Sequence, residues 1–94
     1  LPTVFNLYQN YPNPFNPITT LNYELSNSSH INMAIYDVLG NKVIQLVNSK
    51  QSPGFKSIQW DGTNSQGEPL SAGVYLYKIQ AGDFVDTKKM ILLK

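Results

Sequence analysis

The sequence predicts an all-β domain, an antiparallel sandwich of about seven strands. Stretches of alternating apolar and polar residues recur at short spacing from Ile18 to Leu93, and none carries the period of a helix. Turn-forming clusters separate them, among them Ser26-Asn27-Ser28-Ser29, Gly40-Asn41 and Gly82-Asp83. The third observation is size. Ninety-four residues, 41% hydrophobic and 14% charged, suffice for one folded domain and not for two. Residues 1–94 therefore read as a single domain, a leader over 1–17 and a sandwich body over 18–94.

The leader comes first. It holds four of the six prolines, three of them in the run Tyr11-Pro12-Asn13-Pro14-Phe15-Asn16-Pro17. Each proline fixes φ and lacks an N–H, and the residue before it is pushed away from helical geometry. Asn13 and Asn16 are placed to hydrogen-bond the local backbone in place of a strand partner. The expected form is a stiff, mostly extended segment anchored by Tyr11 and Phe15, folded over an open sheet edge.

The body follows in order. Thr19, Leu21, Tyr23 and Leu25 share one face of a half-buried strand over 18–25. Residues 31–38 put Ile31, Met33 and Ile35 on one face and Tyr36 and Val38 on the other. A hairpin through Gly40 leads to a strand over Lys42–Val47, then a polar loop from Asn48 to Pro53. Gly54 to Trp60 is the next strand, with Trp60 as the largest core anchor. After the turn-rich stretch from Asp61 to Pro69, Gly73 to Ala81 and Phe84 to Leu93 form the last two strands. Their two-residue connection, with glycine first, predicts a type II′ turn and sets Tyr75 opposite Met90 and Ala81 opposite Phe84. That register places Asp86 and Lys88 on the apolar face. Either a bulge near 86–88 or a position at the sheet margin is required to accommodate them.

Composition and motifs exclude most chemistry. A net charge of +1 and no basic run beyond Lys88-Lys89 leave no footprint for nucleic acid. No cysteine is present, so disulfides and thiolate zinc sites are absent. No stretch is long and apolar enough for a transmembrane segment. His30 is the single histidine, expected on a surface turn, and its neighbour Ser29 points to the opposite face. The loop from Asp61 fails as a calcium site, with Gln66 and Ala72 where glycine and glutamate are needed, and Asp61 reads as a turn cap. Asn27-Ser28-Ser29 matches a glycosylation triplet that arises often by chance. The expectation is no enzyme, no cofactor and no metal. Leu1-Pro2-Thr3 lacks an initiator methionine and no signal peptide follows it, which reads as a piece of a longer polypeptide.

Read together, the two ends of the chain carry a resemblance. The run Tyr11 to Pro17 followed by Thr19, Leu21 and Tyr23 resembles the opening of the type A C-terminal sorting domain of the type IX secretion system, found chiefly in Bacteroidetes. Ile35-Tyr36-Asp37-Val38-Leu39-Gly40 and Trp60-Asp61-Gly62 agree with its middle. Ser71-Ala72-Gly73-Val74-Tyr75-Leu76-Tyr77 and Thr87 to Lys94 agree with its end. The resemblance runs from about Phe5 onward, and a related pattern from Trp60-Asp61-Gly62 to Gly73-Val74-Tyr75 occurs in the immunoglobulin-like domains of flagellar hook-capping proteins.

The resemblance implies an immunoglobulin-like sandwich that does no chemistry and serves as a sorting signal for an upstream cargo domain. Its implied partners are the outer-membrane type IX translocon and a sortase-like peptidase that removes it. Its implied course is through the periplasm to secretion or the cell surface. Carried over by position, the translocon-recognition candidates are Gly73, Val74, Tyr75, Lys89, Met90, Leu92 and Lys94. The structural motif comprises Tyr11, Pro12, Asn13, Pro14, Phe15, Asn16, Pro17, Trp60, Asp61 and Gly62. Cleavage is expected at or before Leu1 to Asn6. Two other roles stay open: a carbohydrate-binding module with an aromatic row on one face, and a structural or assembly module. Self-association through an exposed terminal strand is a further expectation.

Overall fold

The computed structural model describes residues 4–93, and seven strands run through them. They are β1 (Asn6–Leu7), β2 (Thr19–Leu25), β3 (Ser29–Asp37), β4 (Lys42–Gln51), β5 (Gly54–Trp60), β6 (Gly73–Ala81) and β7 (Phe84–Leu92). Two antiparallel sheets form, in the orders β1-β2-β5 and β4-β3-β6-β7. In β2, Thr19, Leu21, Tyr23 and Leu25 are buried while the residues between them are not, because alternate side chains of a strand point to opposite faces. β5 pairs along its whole length, from Thr19 opposite Trp60 to Leu25 opposite Gly54. The facing sheet contributes Ile31, Met33, Ile35, Tyr75, Tyr77 and Ile79 to the core. Trp60 lies between Phe15 and Tyr75, its ring centroid 5.7 Å from each, so its expected role as core anchor holds.

The last hairpin has the predicted register. Tyr75 faces Met90 and Ala81 faces Phe84, with no irregularity from one end to the other. Gly82 has φ 61° and Asp83 does not share the positive φ, as a type II′ turn requires. The conflict at Asp86 and Lys88 is resolved by position and not by a bulge. β7 is the edge of its sheet, and both residues lie half-buried at that margin, where charged ends reach water.

Three expectations need correction. β4 continues through Gln51, leaving only Ser52 and Pro53 as connection, because the polar residues 48–51 pair with Ser29 to Asn32 on β3. β4 also carries two register shifts against β3. Leu46 and Val43 are the extra residues, which turns neighbouring apolar side chains toward the open side of the sandwich. His30 stands on exposed strand, not on a turn, with its Nε2 2.6 Å from Asn48 Oδ1.

The leader is the third. It bends instead of running extended, since Tyr11 pairs with Thr20 in one sheet while Phe15 pairs with Leu92 in the other. Three residues, Pro12 to Pro14, must cross the end of the sandwich. Phe15 is a true anchor at 1% exposure, but the Tyr11 ring is 77% exposed and only its backbone is held. Leu7 and Asn10 provide the remaining buried contacts of the leader.

Candidate functional site

β7 is an edge strand, and its two halves differ. In the β6–β7 hairpin the even-numbered residues of β7 exchange hydrogen bonds with β6, so the odd-numbered backbone groups point outward. The leader occupies the C-terminal ones. Phe15 N donates to Ile91 O at 3.0 Å, and Leu93 N donates to Phe15 O at 2.8 Å. Ile91 N donates to the Asn13 side-chain oxygen at 2.9 Å, and Gln9 Nε2 donates to Lys89 O at 2.7 Å. Val85 and Thr87 lie beyond this clasp. Thr87 N is held only by its neighbour's carboxylate, Asp86 Oδ1, at 2.8 Å.

A buried polar knot fixes the leader for this task. Tyr77 Oη accepts from Asn10 N at 2.8 Å and donates to Tyr8 O at 2.7 Å. Asn10 Nδ2 donates to Thr19 Oγ1 at 2.9 Å and to Pro12 O at 3.1 Å, and Thr19 Oγ1 donates to Pro12 O at 2.8 Å. No buried side-chain polar atom among the described residues lacks a partner. Burial pushes the Tyr77 phenol up to about 12; the Asn10 amide opposes that and the Asp86 charge adds to it. Tyr23 is raised in the same way, by burial against the opposing bond to Gln51.

The motif residues converge at the end where the clasp closes. Trp60 Nε1 donates to Thr63 O at 2.9 Å, and Asp61 Oδ1 accepts from Thr63 Oγ1 at 2.6 Å, the turn cap expected of it. Gly62, at φ 76°, lies under Leu92: a Cβ there would sit 3.5 Å from both Leu92 methyls and from Pro17 O. Pro17, Asp61, Gly62, Thr63 and Leu92, with Asn16 and Pro69, line an apolar cleft of about 420 Å³ beside the end of β7.

The recognition candidates divide by burial. Gly73 begins β6 opposite Leu92, and Tyr75, Met90 and Leu92 point into the core. Tyr75 Oη donates to Ser71 O at 2.7 Å. Val74 is half-buried and Lys89 exposed, both on the outer face of the sheet. Lys94 lies outside the described residues, as does part of the stretch Leu1 to Asn6 expected to contain a cleavage point. Sequence reasoning missed Gln9, Asn10 and the reach of Asn13 to Ile91. It assigned Asn13 a local bond, and nothing in a local pattern shows a partner 78 positions away.

On the outer face of the three-stranded sheet, Tyr8, Tyr11 and Phe55 expose their rings. The backbone places them beside Asn22, Thr20 and Glu24 respectively.

Residues 17–83 match the FlgD Ig-like domain family. No curated protein matches the chain. Among solved structures, dimeric latent PorU from Porphyromonas gingivalis is similar with a TM-score of 0.75 and 24% identity, over 99% of this chain and 10% of PorU. PorZ, an essential surface component of the type-IX secretion system of the same organism, gives 0.66 and 17%, over 95% of this chain and 12% of PorZ. FlgD from Xanthomonas campestris, described for hook capping in flagellar assembly, gives 0.64 and 22%, over 94% of this chain and 64% of FlgD. The chain thus spans about a tenth of the first two, and at these identities the likeness is one of fold. The family match extends over most of the sequence, and this chain belongs to the FlgD Ig-like domain family.

Proposed function

We propose that the domain is a sorting signal of the type IX kind: a folded label on an upstream cargo domain, read by an outer-membrane translocon and removed by a sortase-like peptidase. One observation carries this reading. The segments outside the family match, before residue 17 and after residue 83, are bonded to each other by the clasp between Gln9, Asn13, Phe15 and β7. A plain immunoglobulin-like module does not need that arrangement. Here it fixes the end of a marginal strand while leaving Val85 and Thr87 free for an added strand, with Lys89 exposed beside them. The fold likeness to PorZ supports the same system. In this reading the domain performs no chemistry, and its route is through the periplasm to secretion or the cell surface.

The test is a fusion of residues 1–94 to a periplasmic reporter in a host with the type IX machinery. Export of the fusion, and periplasmic retention after deletion of Lys89 to Lys94, are the expected results. Because that deletion also removes core residues, Lys89→Glu serves as a folded companion and should reduce export. Export unaffected by both changes would end the proposal.

A second reading, a carbohydrate-binding module, is favoured by the exposed Tyr8, Tyr11 and Phe55 rings on one sheet face, since rings stack on apolar sugar faces. Calorimetry with soluble polysaccharides distinguishes it: micromolar heats lost in Tyr11→Ala support it. A scaffolding role gives neither export nor sugar affinity.

A further inference from the structure

The outer face of the four-stranded sheet has a charge distribution that the total of +1 conceals. Ladder partners share a face, so His30 with Lys50, Tyr36 with Lys42, Ala34 with Lys78 and Leu76 with Lys89 all point outward. Four of the chain's seven cations stand there, and none of its six carboxylates does. Asp86 points inward, Asp83 lies in the distal turn, and Glu24, Asp61 and Glu68 belong to the other sheet or its loop. Asp37 ends β3, where its carboxylate accepts from Leu39 N at 2.9 Å and Asn41 N at 3.0 Å of its own turn.

The same face is apolar at one end. Beyond the row of Lys42 and Lys89 come Val74 and Ile91, then Leu93. The adjoining turn projects Val38 and Leu39, 66% and 84% exposed, from a backbone already braced by the Asp37 carboxylate. Exposed aliphatic side chains at a rigid turn tip are a cost in water unless something covers them. One row of a strand face is roughly 7 Å long, so the lysine row lies about that far behind the apolar row. An amphipathic surface lying on a bilayer buries its apolar part about 5–10 Å deep, which brings such lysines to the level of the phosphates.

We propose that this end of the sheet docks on an anionic lipid surface, with Leu39 and Val38 entering the acyl boundary and Lys42, Lys89 and Lys78 meeting headgroup phosphates. The charge pattern favours lipid over an acidic protein, because the chain has no arginine to centre a protein interface and the aromatic side chain on this face, Tyr36, is half-buried between its strand neighbours. Among the described residues no helix is long and apolar enough to cross a membrane. The inference rests on this face alone and stands whether or not the domain is a sorting signal.

Co-sedimentation of the 94-residue chain with vesicles tests it. Vesicles of phosphatidylcholine with about 30% phosphatidylglycerol should bind the chain, pure phosphatidylcholine should not, and binding should weaken several-fold from ~20 to ~200 mM salt. Lys42→Gln and Lys89→Gln should each lower partitioning about fivefold, whereas Lys56→Gln, the same charge change on the other sheet, should alter it less than about twofold. Leu39→Ser should reduce binding without altering the salt dependence. No binding to anionic vesicles, or equal loss in Lys56→Gln, overturns the proposal. Tight binding of soluble polygalacturonate that Leu39→Ser leaves intact would also overturn it, in favour of a dissolved acidic glycan.

Discussion

At the scale of single residues, Tyr77 does the most. Its ring is core, and its hydroxyl joins the leader to the four-stranded sheet through Asn10 and Tyr8. Tyr77→Phe keeps the packing but leaves the buried Asn10 amide without its acceptor, which costs about 1–3 kcal/mol. Urea midpoints should show that loss, against about 1 kcal/mol or less for Tyr75→Phe, whose hydroxyl serves only Ser71 O at a part-buried site. The phenol also sets an alkaline limit. A group whose folded pKa is raised contributes stability that is complete below its unfolded value and disappears as pH rises through the folded one. The window for Tyr77 therefore runs from about 10 to about 12. Absorbance titration should show this tyrosine ionising together with unfolding, and ionisation near 10 in the folded chain would refute the buried bond. Asp37 works in the opposite sense. The Asn41 amide holds its carboxylate below the usual range, so its support of the turn persists above about 4 and fades as pH falls through the lowered value.

At the scale of elements, the β6–β7 hairpin was readable because one glycine-first, two-residue turn determines every pairing after it. β2 was readable because its burial alternates without exception. The end of β4 was not, since Asn48-Ser49-Lys50-Gln51 has the composition of a loop and becomes strand only by pairing with β3. Its bulges left a trace in the doubled apolar pairs Val43-Ile44 and Leu46-Val47, which interrupt alternation. Proline chemistry excluded helix for the leader, yet its course depended on Asn10, Asn13 and Phe15 finding partners far along the chain. Three of the recognition candidates chosen by resemblance, Tyr75, Met90 and Leu92, are core and hold the strand that carries them. The clasp predicts a local effect. Asn13→Ala removes the acceptor of the Ile91 amide, and hydrogen exchange there should accelerate about threefold to tenfold. Met90 and Leu92, bonded to β6, should change little; equal acceleration at all three would mean the clasp does not act locally.

At the scale of the whole molecule, two sheets with a thin shared core leave every working surface at a margin or on an outer face. The leader closes half of one margin, and the sheet's outer face gathers lysines that the overall charge balance hides. Neither is visible in composition, because both depend on which strands the topology makes neighbours. Removal of Phe15 should therefore act globally. Phe15→Ala leaves a cavity against Trp60 and is expected to cost about 3–5 kcal/mol, a large fraction of what a small domain has. Thermal unfolding should show a midpoint lowered by well over ten degrees, and a change of only a degree or two would place the leader outside the cooperative core.

If a receptor reads the open backbone edge of β7, proline at residue 87 blocks that reading, and reporter export by Thr87→Pro tests it most directly. Residue 87 points its amide away from β6, so proline there spares the ladder while blocking an incoming strand. A protein that unfolds within a few degrees of the parent, with its reporter retained in the periplasm, is the predicted result. Export at the parental level from an equally stable Thr87→Pro domain would contradict it.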